Sequence, residues 1–304
     1  MPDGSGRPNI ATEAELAAVD AARDARAEAL ERARTETAPA TTPKSTSRGS
    51  RRRAGFHEFL VDVWLTDLNS VEFGFYKHSR NKAKSRQFTS DMDIFAEIVE
   101  NGQRTGLLGY REDLWKKKTG MDKRLVFKLF GEKLNWRGTM DLMLGRSLQL
   151  TIGAHGLPVT AFSINLTDYE FVAQVERSAH KWPLCPESFS FFLVEGGRAM
   201  FYRLRQDFID IAGDYTLYDE HDRAIGRLDG RLFSLGGKWT GRVRSERADP
   251  RLLSVLKLFC GMLAFNRQCR RHIRRLSQEI EDGRLAPKLE TQEHDLYMNP
   301  RRVR

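Results

Sequence analysis

Cysteine is scarce: Cys185, Cys260 and Cys269 are the only three in 304 residues. An odd, sparse set excludes a disulfide framework and fits a reducing compartment. No run of eighteen apolar residues occurs, so no membrane-spanning helix is expected. The opening "MPDGSGRPNI" lacks a basic stretch followed by an apolar one, so no secretory signal is expected and a cytoplasmic location follows. No G-x-x-x-x-G-K or G-x-G-x-x-G pattern is present to cradle a nucleotide. Cys269 and His272 stand at i, i+3, but two ligands among arginines make a poor cation site, so neither metal nor cofactor is expected. No nucleophile, base and orienting group can be assembled from spacing. Cys260 lies in an apolar run and reads as packing. His155 in "GAHGLP" and His221 in "DEHDR" read as turn residues, and Asp91 and Asp93 as capping groups. No catalytic residue is assigned, and a non-catalytic role is the expectation.

Aromatic residues are absent before Phe56. A segment with so little to bury does not offset its ordering entropy, so residues 1–53 read as a disordered tail. Within it, "TEAELAAVDAARDARAEALERARTE" (12–36) is a strong helix former with a Thr12–Glu15 capping box. Its apolar positions are mostly Ala, so a helix that is transient or stabilised by a partner protein is expected. The net charge is +9 and residues 1–50 carry eight acids against seven bases, which leaves a surplus of +10 on the rest. An anionic partner is implied.

Residues 54–124 read as a mixed helical and strand lead-in. "FHEFLVDVWLTDL" (56–68) is apolar and is either a helix or a buried strand. "SDMDIFAEIVENG" (90–102) predicts a helix capped by Ser90, with Ile94, Phe95, Ile98 and Val99 on one face and Asn101-Gly102 ending it. "REDLWKKKTG" (111–120) predicts a short helix, acidic first and basic last. From about 125 the rhythm turns to short strands rich in branched and aromatic residues: "RLVFKLF", "SLQLTIG", "VTAFSINL", "YEFVAQV", "SFSFFLV", "AMFYRLRQ", "YTLYD", "AIGRLDG", "RLFSLGG" and "KWTGRVR". "LTIGAHGLPVTAFSI" (150–164) echoes the strand–turn–strand rhythm of "YTLYDEHDRAIGRLD" (215–229). Strands this short and frequent point to a barrel or sandwich.

"PRLLSVLKLFCGMLAFNRQCRRHIRRLSQEIEDG" (250–283) is a helix opened by Asp249-Pro250. From Leu252 to Phe265 only Ser254 and Lys257 are notably polar. Such a helix is buried on every side or embedded in lipid. Fourteen residues span roughly 21 Å at ~1.5 Å each, too short for a bilayer core of about 30 Å. A core plug and an interfacial helix remain open. Residues 284–304 follow as a basic tail.

Three basic patches are candidates for anion binding. Arg267, Arg270, Arg271 and Arg274 fall at i, i+3, i+4 and i+7 on one helical face, flanked by Arg275. Guanidinium groups favour bidentate phosphate contact. Arg80, Lys82, Lys84 and Arg86 recur at period two in "KHSRNKAKSR", and Lys116, Lys117 and Lys118 follow Trp115. Aromatic rings are not interleaved in 77–86, which indicates phosphate contact rather than base stacking.

"FYRLRQDFIDIAGDYTLYDEHDRAIGRLDGRLFSLGGKW" (201–239) resembles the LURF-one-related group of the tubby C-terminal-like superfamily. The matching positions are Tyr202, Gln206, Tyr215, Asp219, Ile225, Gly230, Phe233, Ser234, Leu235, Gly236 and Lys238. The resemblance implies an α+β fold: an antiparallel β-barrel closed around the hydrophobic C-terminal helix, as in phospholipid scramblases, here over residues 125–283 with extra helices before it. The acidic calcium-binding pattern of the scramblases is missing. The expected function is a cytoplasmic domain, peripheral at the inner membrane face, that binds anionic phospholipid headgroups. The alternatives are nucleic-acid binding through the same surface, or a protein–protein adaptor.

Overall fold

The chain divides into two compact units, Met1–Arg51 and Arg52–Arg304. The computed structural model describes residues 55–63, 92–179, 186–207, 213–231, 237–289, 291 and 293–294, all in the second unit. The helix expected at 12–36, the linker after it and the run 77–86 lie outside the described residues.

Twelve antiparallel strands form a closed barrel in which spatial order follows chain order. They are β1 (Phe56–Val63), β2 (Met92–Glu100), β3 (Gln103–Arg111), β4 (Val126–Gly131), β5 (Trp136–Leu142), β6 (Ala161–Leu166), β7 (Ala173–Arg177), β8 (Ser188–Glu195), β9 (Arg198–Gln206), β10 (Tyr215–Tyr218), β11 (Ala224–Arg231) and β12 (Lys238–Arg244). Strand β1 closes the circle by pairing with both β2 and β12. Closure leaves no strand edge unpaired. The barrel therefore starts before residue 125, since the expected lead-in supplies β1, β2 and β3. In β8, Phe189, Phe191 and Leu193 are buried while Ser190 and Phe192 are exposed, the alternation of a sheet with one wet face.

Among the described residues three α-helices accompany the strands: α1 (Glu112–Lys116), α2 (Leu144–Gly153) and α3 (Pro250–Glu281). Asp249 caps α3 by accepting a hydrogen bond from the Arg251 N–H at 2.7 Å, and Pro250 occupies the first turn. Inside the barrel Leu252, Val255, Leu256, Leu258, Phe259 and Met262 are each fully buried. Phe259 lies against Phe189 and Tyr215, with centroids 4.9 and 5.5 Å apart, and Phe265 against Phe95, Tyr110 and Phe127 at 5.1–5.4 Å. A Cβ on Gly261 would come within 2.8 Å of Leu108, so the missing side chain sets how closely the helix approaches β3. Thus 252–265 is a core plug.

Two expected elements differ. In the segment 90–102, expected as a helix, Met92–Glu100 form β2 and Asn101-Gly102 turns the chain into β3, while the expected cap Ser90 lies outside the described residues. Both turn residues have positive φ, 53° and 75°, the pattern of a type I′ hairpin. The helical spacing was produced by burial on both faces: Phe95 and Ile98 join the barrel interior, while Met92 and Ile94 pack outside it with Leu107, Phe130 and Leu134. A register shift between Ile94 and Ala96 further breaks the alternation. Conversely "SLQLTIG", expected as a strand, lies in α2, where Leu144, Ser147, Leu148 and Thr151 bury one face. The echo between 150–164 and 215–229 is therefore not structural: the first is helix, turn and strand, the second a β10–β11 hairpin.

Phe259→Ala removes a ring packed on all sides and is expected to lower the unfolding free energy by about 3–5 kcal/mol. Phe201→Ala, on a side chain 56% exposed, is expected to change it by less than about 0.5 kcal/mol. Chemical denaturation of both variants checks the contrast.

Candidate anion-binding surface

The two rims of the barrel differ. At the proximal rim, where α3 begins, Arg251 meets Glu195 at 3.6 Å; at the distal rim Arg270 meets Glu187 at 2.7 Å. The nineteen residue steps of helix from one arginine to the other span about 28 Å, close to the roughly 26 Å of the eight-residue strand β8. The last turns of the 32-residue helix therefore project beyond the wall. Proximal turns are short, whereas distal connections include 63–92, 111–126 and 142–161.

Helix α1 sits at the distal rim against the emerging part of α3. The Trp115 indole donates to Gln268 at 3.3 Å, and its ring lies 6.4 Å from Phe265 and 6.1 Å from His272. Two of the expected basic patches are thereby brought to one end. Arg267, Arg271 and Arg274 are exposed on α3, Lys117 and Lys118 on the segment after Trp115. Among the described residues none of these five has an ion-pair partner. Lys116 is paired with Glu112 at 2.9 Å, and that hydrogen bond holds its ammonium above the ordinary lysine range. Arg80, Lys82, Lys84 and Arg86 lie outside the described residues, but the flanking residues Val63 and Met92 both end at the distal rim, beside Gly237 and Arg111.

Arg270 is set apart from its stripe. It faces inward to Glu187, which also takes Arg177 at 3.1 Å, the Tyr215 hydroxyl at 2.9 Å and the Asn266 amide at 2.9 Å. The i, i+3, i+4, i+7 spacing covers a wide arc, and its edge lies over the rim of β8. This carboxylate with two guanidiniums anchors the plug where it leaves the wall and is not open to an external anion. Sequence reasoning missed one contributor. Lys123 lies 4.3 Å above the Trp115 ring, its ammonium held below the ordinary range by burial and then by the charge of Arg275. Nothing in the local pattern placed Lys123 beside a helix about 150 residues later.

The remaining candidates are structural. Burial raises the thiols of Cys260 and Cys269, so neither is a thiolate nucleophile at neutral pH. Among the described residues no group of His, Cys, Asp or Glu is placed to hold a metal. Asp219 of the family-like hairpin orders its turn by accepting from the His221 and Arg223 N–H groups, both at 3.0 Å. Gln206 accepts from the Glu187 N–H at 3.2 Å, and Phe233, Ser234, Leu235 and Gly236 lie outside the described residues. A cavity of about 850 Å³ opens at the proximal rim, between the first turns of α3 and the ends of β2–β6. Much of its charged lining is engaged internally: Lys257 with Glu100 at 2.7 Å, His57 with Glu100 at 3.2 Å, and Arg137 with Asp168 at 4.0 Å.

His272 is 7% exposed, and its Nε2 is buried without a partner. Burial, then Lys123 and Arg275, push its pKa down to about 4. Above the unfolded value of 6.5 the ring is neutral in both states and pH has no effect through it. Between 6.5 and about 4 the unfolded chain binds a proton that the fold refuses, so stability falls as pH falls, by roughly 3 kcal/mol in all. Urea unfolding from pH 7 to 4 is expected to fall less steeply for His272→Phe than for the parent chain; equal slopes would refute this.

No family model matches the chain, and no solved structure matches it. The chain is similar to a proline–tRNA ligase of Acidothermus cellulolyticus, 26% identical over 193 residues that cover 58% of this chain and 30% of the ligase. The chain thus spans less than a third of that enzyme's length.

Proposed function

We propose that this barrel is a non-catalytic, tubby-like module that docks peripherally on the anionic phospholipid headgroups of the inner membrane face through its distal rim. The observation that carries the reading is the convergence there of five cations with no ion-pair partner among the described residues, Arg267, Arg271, Arg274, Lys117 and Lys118, from two elements far apart in sequence. Like charges held together without ion-pair partners cost free energy in isolation. An anionic surface removes that cost and gains about 1 kcal/mol per basic residue. No helix among the described residues is long and apolar enough to cross a membrane, so attachment rests on the surface. The tubby-like part of the reading is supported by the closed barrel around an apolar helix and by the architectural positions of Tyr215 and Asp219.

A second reading is nucleic-acid binding through the same surface. It is favoured by the similarity to a ligase whose name ties it to tRNA. Against it, Trp115 is only 3% exposed beneath Lys123 and offers no ring to a base.

Co-sedimentation with phosphatidylserine-containing vesicles at low salt is expected, with release as salt rises. Arg267→Glu/Arg271→Glu/Arg274→Glu is expected to weaken binding on the order of a hundredfold, while Arg205→Glu on the outer wall has little effect. Equal binding to phosphatidylcholine vesicles, or none to either, overturns the reading. Tighter binding to RNA than to vesicles supports the second.

A further inference from the structure

Beyond Glu281 the described tail folds back over the distal rim. Lys288 Nζ lies 2.9 Å from Asp122 Oδ1, and the Leu289 side chain covers Gly145, where a Cβ would come within 2.3 Å of it. The side chain of Glu293 lies over the first turn of α2. One carboxylate oxygen accepts from the Gly145 N–H at 2.9 Å and the other from the Arg146 N–H at 2.6 Å. Met143 at the cap position supplies no side-chain bond, so Glu293 does the capping from 148 residues away. It is 5% exposed, and a buried carboxylate at a helix N-terminus is held by both N–H groups and the dipole.

The strap has a consequence for charge. Asp122 is an acid inside the basic end, in the segment between Lys118 and Lys123. Lys288 lowers its pKa by hydrogen bond and charge, with a smaller contribution from Lys118. An exposed pair of this kind, its side chains 61% and 63% accessible, is weak alone. It persists only if the strap is held elsewhere, and Glu293 is the one strap side chain buried among the described residues.

We propose that Glu293 is a positioning residue: it fastens the strap to α2 so that Lys288 neutralises Asp122 beside the exposed lysines of the distal rim. The consequence for binding rests on the lipid-docking reading above. The direction is opposite to what net charge alone requires. Glu293→Ala removes a negative charge, which by itself strengthens attraction to an anionic surface. With the strap released, Lys288 leaves Asp122 bare within the docking surface, and affinity falls.

The test uses the full chain and vesicles containing phosphatidylserine. Glu293→Ala is expected to bind about fivefold more weakly, and Glu293→Ala/Asp122→Asn to recover the parent affinity. Gly145→Leu, which fills the seat of Leu289 without changing charge and raises helix propensity, is expected to match Glu293→Ala. Asp122 is also titrated by carboxyl carbon NMR, where release of the strap moves it up into the ordinary carboxylate range. Unchanged or tighter vesicle binding by Glu293→Ala overturns the proposal, as does weakening that Asp122→Asn fails to rescue. An unchanged Asp122 titration overturns it whatever the vesicles show. If the titration moves but the parent chain binds no vesicles, the strap stands and the docking reading falls.

Discussion

A helix enclosed by a closed sheet has no wet face, and the rest of this molecule follows from that constraint. From Leu252 to Phe265 all residues are buried except Ser254, Lys257, Leu263 and Ala264, which are half-buried, so apolar residues occur on nearly all sides of α3. The helix satisfies its own backbone, and a barrel without edges satisfies its own as well. Neither partner then needs polar groups from the other, and the contact between them is a packing contact. Gly261 and the rings of Phe259 and Phe265 set the distance and rotation of the plug.

Where charge does enter the barrel, it is paired at once. Lys257, on the plug, reaches Glu100 at the proximal rim, and Arg270 reaches Glu187 at the distal rim. Burial pushes the Glu100 carboxyl up, but the hydrogen bond and charge of Lys257 outweigh it and leave it lowered. These pairs sit at the two depths where a helix in an apolar tube first meets polar rim groups. They are poor sources of net stability, because desolvation offsets most of the attraction. Their contribution is registry, since sliding the helix by one turn would take Lys257 from Glu100 and leave Glu187 with Arg177 as its one remaining guanidinium.

The helix is longer than the barrel, and that mismatch separates its arginines into two populations. Arg270 lies at the rim and is drawn into the wall. Arg267, Arg271 and Arg274 point away from the wall and are exposed. The distal connections build around the projecting turns: α1 brings Trp115 and its lysines to one flank, and α2 packs on another with Glu293 capping its first turn. A basic end arises because the long connections and the overhanging helix share one rim, while the proximal rim keeps tight turns such as Asn101-Gly102.

The sequence alone determined the plug and most of the staves. An apolar run without a polar face, opened by Asp249-Pro250, has few possible environments, and alternation in stretches such as 188–195 has one strand solution. It also identified the arginine stripe and the lysines after Trp115. Tertiary structure decided what local pattern could not carry. Burial on both faces of 92–100 erased the alternation that marks a strand, and the half-buried face of α2 carried spacing that read as one. The inward turn of Arg270 depended on a rim glutamate 83 residues earlier in the chain. Lys123 and the Glu293 strap joined the basic end only through contacts between distant segments. Periodicity reports how one element divides its own faces between core and water; which charges meet across a rim is set by chain closure, which periodicity does not encode.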